Sequence, residues 1–244
     1  MPPPVRHGLA RVLSKRGICS RNQAAQWIAA GRVRVDGRVV RDPEFPVVQG
    51  RHAIDVDGEP LPSIERHYIA LNKPRGLVTS TRDERGRDTV YRCLEGSGLP
   101  WMAPVGRLDR ASEGLLLLSN DPAWAAAITD PATGPDKTYH VQIDRVPDGR
   151  LLEAVRAGCV EGGDHLSAKT VRPLREGTRN AWLEVVLDEG RNRQIRRLLA
   201  AFDLSVMRLV RVAIGPLDLG DLAKGAWRPL SRDEVAVLST PASS

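Results

Sequence analysis

Gly106-Arg107-Leu108-Asp109-Arg110-Ala111-Ser112-Glu113-Gly114 runs straight into Leu115-Leu116-Leu117-Leu118 and then Ser119-Asn120-Asp121-Pro122. Four leucines between a glycine and a cluster of turn formers read as a short, buried strand. An acid at the lip of such a strand, between two arginines and two glycines, can be kept charged and open to a ligand. A plainer reading has Asp109 cap a turn or pair with Arg107 or Arg110, because ion-pair networks also use such acids. Glu113 offers a second carboxylate nearby, but a glycosidase pair is defined by spatial separation, not by sequence proximity. No GxxxxGK[ST] phosphate loop occurs in the chain.

Upstream, Tyr68-Ile69-Ala70-Leu71 reads as a short strand entering a turn at Asn72-Lys73-Pro74-Arg75-Gly76. Residues 79–88 are polar and charged, as in a surface loop. Downstream, residues 138–143 and 181–187 read as strands and 151–157 as a helix. A second helix is expected over 192–202, with Ile195, Leu198, Leu199 and Phe202 on one face. This irregular alternation, without a repeat, defines an α+β or mixed α/β body whose topology periodicity alone does not supply.

The first fifth of the chain is different. Residues 7–16 and 20–30 carry apolar residues at helical spacing: Leu9, Val12 and Leu13, then Ala24, Trp27 and Ile28. Gly17 punctuates the first helix, Ser20 with Gln23 fits an N-terminal capping box, and Gly31 ends the second. Arg32-Val33-Arg34-Val35, Asp36-Gly37 and Arg38-Val39-Val40 follow, two alternating strands about an Asp-Gly turn. With the apolar positions inward, Arg11, Lys15, Arg16 and Arg21 come to lie outside beside the hairpin arginines, a surface able to follow a phosphate backbone. The stretch from Asp57 to Arg66, with Gly58, Pro60, Pro62 and Ser63, reads as a linker.

Charge follows the same division. Among 244 residues there are 36 Lys+Arg and 30 Asp+Glu, a formal net charge of +6. Residues 1–50 hold nine basic and three acidic residues, so they carry the whole excess. A basic module on a neutral body points to polyanion binding joined to other work, although a merely solvated surface would share this composition. With 41% hydrophobic residues the chain can bury a core, and no run reaches the roughly 18 apolar residues of a membrane helix. The first residues lack the apolar segment of a secretory signal, so a cytoplasmic location is expected. Cys19, Cys93 and Cys159 are too scattered for a disulfide framework or a cysteine zinc site, and no HExxH occurs. Neither a metal nor a cofactor is expected.

The segments also carry a resemblance. Leu13-Ser14-Lys15-Arg16-Gly17, Ser20-Arg21, Ala24, Ile28 and Gly31 to Gly37 are similar to the S4 RNA-binding domain, over roughly residues 6–60. GRLDRASEGLLLLSND resembles the signature of RNA pseudouridine synthases. Asn72-Lys73-Pro74, Lys137-Thr138-Tyr139 and the run from Glu189 to Arg197 resemble three further motifs of that family, in its order. The group indicated is the one containing the small-subunit rRNA synthase and large-subunit synthases B, E and F. The resemblance implies an α+β chain: an S4-type domain over 1–60, a linker to about 66, and a catalytic domain over 67–244 with a mixed, mainly antiparallel sheet and flanking helices.

It further implies isomerisation of uridine to pseudouridine in ribosomal RNA, without a cofactor, by a monomer working on rRNA or a pre-ribosomal particle. The run Arg191-Asn192-Arg193-Gln194-Ile195-Arg196-Arg197 places 23S rRNA ahead of 16S. A non-catalytic RNA-binding protein is the alternative from another class. Asp109 is then the catalytic aspartate, as nucleophile or as base. Arg196 stands where the basic residue that pairs with it is found, Tyr139 where a ring stacks on the uracil, and Arg107 beside them. Lys73 and Pro74 are expected to be scaffolding. Arg6, Arg11, Lys15, Arg16, Arg21, Arg32, Arg34 and Arg193 are expected on RNA phosphates.

Overall fold

The computed structural model describes residues 6–48, 51–61, 65–80 and 86–239. The chain divides into two compact units, one formed by residues 1–68, 96–103 and 119–122, the other by the remainder.

In the first unit, strand β1 (Arg6–Gly8) leads into helices α1 (Leu9–Lys15) and α2 (Arg21–Ala29). Strands β2 (Val33–Val35), β3 (Arg38–Val39), β4 (Pro46–Val48), β5 (Ile54–Val56) and β6 (Glu59–Pro60) follow. β1 pairs with β4, and the others form an antiparallel sheet in the order β3-β2-β5-β6. Leu9, Val12, Leu13, Ala24, Ile28, Val33 and Val35 belong to one buried cluster, so the helical and strand periodicities meet in a common core. The Ser20 hydroxyl accepts from the Gln23 backbone N–H at 3.2 Å and caps α2.

Asp36 and Gly37 both have positive φ (50° and 77°), the geometry a tight hairpin turn requires. Asp57 and Gly58 repeat it (54° and 87°), so residues 57–60 are the β5–β6 hairpin and not the linker the composition suggested. The Arg32 guanidinium grips Asp57 with three hydrogen bonds, which fixes this second turn. Pro62 and Ser63, the rest of that expected linker, lie outside the described residues. Its last residues are held: Asn120 accepts from the His67 N–H and donates to the Glu65 carbonyl, both at 2.8 Å.

The second unit is built on a nine-stranded sheet. Its strands are β7 (Tyr68–Lys73), β8 (Ala103–Val105), β9 (Glu113–Ser119), β10 (Lys137–Ile143), β13 (Thr170–Glu176), β14 (Ala181–Leu187), β15 (Val206–Ile214), β16 (Leu217–Asp218) and β17 (Trp227–Pro229). A small hairpin, β11 (Cys159–Glu161) with β12 (Asp164–Leu166), stands apart from it. Four α-helices, α3 (Pro122–Thr129), α4 (Gly149–Ala157), α5 (Gln194–Ala200) and α6 (Arg232–Ser239), and a 3-10 helix (Val90–Leu94) complete the described elements. The main path is β13-β14-β10-β15-β9-β7-β17, with β16 beside β15 and β8 beside β9. The sheet is mixed and mainly antiparallel; β15 and β9 run parallel.

Leu115 to Leu118 are fully buried, as expected of a strand covered on both faces. Val141, Ile143, Leu183, Val185 and Leu209 pack with Val155, Ile195, Leu198 and Leu199 in the core shared by sheet, α4 and α5. At the parallel seam Gly114 stands opposite Arg211 with φ +104°. A Cβ there would fall 2.2 Å from the Arg211 carbonyl oxygen, so only glycine lets β9 close on β15.

Three sequence expectations need correction. Asn72 and Lys73 belong to β7, not to the turn; Asn72 donates its N–H to Ala226 and its amide to the Leu222 carbonyl, which extends the strand. The polar stretch from Thr79 begins inside the protein, since Thr79 is buried; Thr81 to Arg85 lie outside the described residues, and residues 86–88 are exposed. The helix expected over 192–202 is shorter, because Arg193 adopts the left-handed conformation (φ 49°) and α5 begins after it. Phe202 lies beyond the helix end yet packs on the same core.

Candidate active site

Asp109 sits in the loop joining β8 to β9, and that loop has little freedom. Every carbonyl from Leu108 to Ser112 accepts a hydrogen bond. Leu108 receives the Thr79 hydroxyl at 2.7 Å. Arg110 receives the Gly76 N–H at 2.8 Å, and Ala111 receives Arg196 Nη2 at 3.3 Å. Lys73 Nζ donates to Asp109 at 3.2 Å and Ser112 at 2.8 Å, and also to Pro74 at 3.1 Å. Lys73 is fully buried at the end of β7, beneath the loop. Burial pushes its pKa down to about 8, while the negative charge of Asp109 works in the opposite direction. Its three N–H donors match three carbonyls, so the ammonium serves as a peg for the backbone.

The loop borders a cleft of about 690 Å³. Asp109 and Arg107 enter from the loop, Tyr139 and Lys137 from β10, Arg211 from β15, and Arg193 and Arg196 from the start of α5. The expected catalytic and supporting residues Asp109, Arg107, Tyr139 and Arg196 are therefore brought together. The half-buried Tyr139 packs its ring against the core shared by sheet and α5. Glu113 turns elsewhere: its buried carboxylate pairs with Arg208 and Lys224, each at 2.5 Å. Burial opposes its charge, but the two cations together outweigh that and hold its pKa below the ordinary carboxylate value.

The placement of the two nearby arginines differs from the pairing expected. Arg193, expected on RNA phosphates, lies 3.5 Å from the Asp109 carboxylate. Arg196, expected to pair directly with Asp109, donates to the carbonyls of Ala111 and Val206 at 3.3 and 3.2 Å. Its Nε is buried with no hydrogen-bond partner. Burial lowers its pKa first, the neighbouring Arg193 adds to that, and the charge of Asp109 opposes both. Arg110 is occupied by the Gly76 carbonyl at 3.1 Å.

The rest of the arginine run is neutralised. Arg191 binds Glu189 at 2.8 Å and Asp164 at 3.0 Å, and Arg197 pairs with Glu161 and Asp164. The buried Gln194 amide donates to Glu189 at 2.8 Å and Ser167 at 3.0 Å, and its oxygen accepts the Arg191 N–H at 3.1 Å. This network fixes the left-handed turn at Arg193. Arg211, Lys137 and Gln194 were not singled out by the sequence reading; the only signal for Arg211 was a charge inside an apolar strand.

In the first unit Arg6, Arg11 and Arg34 are exposed, and Lys15 and Arg16 are partly so. Arg21 pairs with Glu44 at 2.9 Å. Arg32 is held by Asp57 and lies over the Trp27 ring at 4.9 Å, so these two cations are partly committed inside the unit.

The comparisons agree with this architecture. The model of the RNA pseudouridylate synthase family matches residues 67–201 and that of the S4 domain residues 8–51. The chain is 36% identical over 230 residues to an uncharacterized RNA pseudouridine synthase of Aquifex aeolicus, covering 93% of this chain and 92% of that protein. It is 34% identical over 230 residues to ribosomal large subunit pseudouridine synthase B of Bacillus subtilis, covering 93% of each. The crystal structure of a pseudouridylate synthase superposes with a TM-score of 0.66 at 29% identity, covering 96% of this chain and 99% of that one. The fold and the relatives define an RNA-modifying isomerase with an S4 domain. The chain belongs to the RNA pseudouridine synthase family.

The Lys73 peg makes a direct prediction. Lys73→Met keeps the stem but removes the ammonium from the carbonyls of Pro74, Asp109 and Ser112, of which Asp109 still accepts the Ser112 N–H at 3.0 Å. The loss should lower stability by about 2–4 kcal/mol. Activity should fall further than the folded fraction does, because the Asp109 loop loses its support. Denaturant melts and single-turnover rates under folded conditions measure both. A stable variant with the wild-type rate would show that the loop holds itself.

Proposed function

We propose that this chain converts uridine to pseudouridine at a defined position of 23S ribosomal RNA, with Asp109 as the group that acts on the target nucleoside. The observation that carries the reading is the convergence of four separate segments on one cleft. Its 690 Å³ suits a nucleoside, and it holds the Asp109 carboxylate, 3.5 Å from Arg193, among several cations. An enzyme that works on a base inside folded RNA has to extrude it, and the Tyr139 ring offers the extruded base a face to stack on. Asp109 then reaches the ribose, as nucleophile or as base, while the base detaches from N1–C1′ and reattaches through C5. The reaction is an isomerisation, so electrons and atoms balance within the substrate.

The 23S assignment is supported by the relative named for the large subunit, 34% identical over nearly the full length. Among the described residues no helix is long and apolar enough to cross a membrane, and the cytoplasm is where rRNA would be met. The S4 domain is read as the docking element on rRNA or a pre-ribosomal particle. Arg6, Arg11, Lys15, Arg16 and Arg34 are its phosphate contacts, and Arg21 and Arg32 are secondary ones.

Mapping pseudouridines in rRNA from a deletion strain and its complement tests the substrate. A 23S site should disappear and return with the gene. Loss from 16S alone would overturn the 23S assignment, and no change in either rRNA would overturn rRNA as substrate.

The docking surface is tested by salt. Arg11→Gln, Lys15→Gln and Arg16→Gln should each reduce the log–log salt slope of RNA binding by roughly 0.7–0.9. Arg21→Gln and Arg32→Gln should change it less, since Glu44 and Asp57 already hold those charges. Equal slopes for all five variants and the wild type would remove this face from the RNA interface.

A further inference from the structure

Arg211 is an anomaly in the second unit. It is only 5% exposed, in the middle of β15, and it lines the cleft that holds Asp109. Its Nε donates to the Leu115 carbonyl at 2.7 Å. Its Nη2 is buried and has no hydrogen-bond partner. Among the described residues no carboxylate lies within ion-pair distance of it. Buried polar groups are ordinarily satisfied, and a buried guanidinium with an idle donor is costly to keep.

Its neighbours narrow the purpose. Arg211 is the direct cross-strand partner of Tyr139, so the two side chains stand on the same face of the sheet. Lys137, two residues before Tyr139, shares that face and the cleft. An RNA phosphate stays at the solvent boundary, where Arg107 and Arg193 are found. Only an extruded base lying on Tyr139 would reach a group so deeply buried. The edge of that base carries two carbonyl oxygens, O2 and O4, and no other strong acceptors.

We infer that Arg211 is a further catalytic residue: its unpartnered Nη2 donates to a carbonyl oxygen of the target uracil and stabilises the negative charge of the detached base. The inference rests on the reading of this cleft as the uridine site. When N1–C1′ breaks, the bonding pair leaves with N1 and spreads onto O2 and O4. C1′ receives a pair from the Asp109 carboxylate, or the carboxylate removes the C2′ proton and that C–H pair forms a C1′=C2′ bond. After the ring turns, C5 gives a pair to C1′ as the C1′–carboxylate bond breaks or, on the second route, as the carboxylic acid returns its proton to C2′. C5 then loses its proton, and N1 gains one. A preorganised cation beside the oxygen is stronger bound to the anion than to the neutral base, which is the condition for accelerating the step. Lys137 adds positive charge from the same face. Burial lowers the pKa of Lys137 first and the charge of Arg211 adds to that, as expected of two cations held close together on one face of the cleft.

The test is a cycle between one side chain and one substrate atom. Single-turnover rates are measured at saturating enzyme for wild type, Arg211→Gln and Arg211→Lys, with RNAs carrying uridine, 2-thiouridine or 4-thiouridine at the target. Sulfur accepts a hydrogen bond poorly. Arg211→Gln should slow the uridine reaction at least 100-fold with little change in RNA affinity, and Arg211→Lys should recover part of the rate. One thio-substitution should slow wild type yet have no further effect in Arg211→Gln. Thermal melts of all three proteins show whether the variants fold, and Arg211→Lys, which can still donate to Leu115, carries the comparison if Arg211→Gln does not.

Effects that simply multiply for both thio-substrates would overturn the inference and leave Arg211 a structural residue. A reduced salt slope with an unchanged saturated rate would overturn it in favour of a phosphate contact. Asp109→Asn is run alongside: if that variant is active, the reading of the cleft itself fails, whatever Arg211 does.

Discussion

A buried ammonium holding three carbonyls is the constraint on which the site depends. Lys73 ends β7 in the core and donates to Pro74, Asp109 and Ser112, so a strand interior fixes the height of the loop that presents Asp109. Thr79, Gly76 and Arg196 take up the remaining carbonyls from Leu108 to Ala111. The engaged backbone acceptors hold the loop, and Arg193, 3.5 Å from the carboxylate, faces the Asp109 side chain that the loop presents. Preorganisation of this kind lowers the cost of placing a charge against a substrate. The seam at Gly114 sets the other coordinate, because β9 closes on Arg211 only where no Cβ intervenes.

The second theme is selective neutralisation. Five arginines lie within the sequence from Arg191 to Arg197 and at Arg211. Glu161, Asp164 and Glu189 bind Arg191 and Arg197, and those pairs brace α5 and the turn before it. Arg193, Arg196 and Arg211 remain for the cleft. The carboxylates thus decide which arginines brace the fold and which are left to face the cleft. Glu113 does the equivalent for Arg208 and Lys224. A formal count of charge conveys none of this, since the second unit is close to neutral overall.

Much of the fold was legible where one local signal dominated. The leucine run, the Ser20 cap and the Asp36-Gly37 turn have mechanisms that act over a few residues, and they appear as read. The Asp57-Gly58 turn carried the same signal, but its surrounding prolines and glycines read as a linker. β15, the longest strand at nine residues, was not recognised, because its arginines interrupt the alternation and their reasons lie on distant strands. The same limit applies at the site. Motif order pointed to Asp109, Tyr139 and Arg196, whereas the approach of Arg193 rather than Arg196 to the Asp109 carboxylate depends on one left-handed residue and a buried glutamine. Arg211 is invisible to any local rule, since its importance comes from standing across from Tyr139.

On the reading proposed, the Asp109 carboxylate performs the chemistry while affinity resides elsewhere. Asp109→Asn preserves size and removes the charge, and the phosphate contacts lie mostly outside the cleft. Single-turnover pseudouridine formation with saturating, sequence-verified variant, measured beside its RNA affinity, separates the two. Affinity close to wild type with no detectable product is expected. Substantial product from Asp109→Asn would overturn the assignment of Asp109.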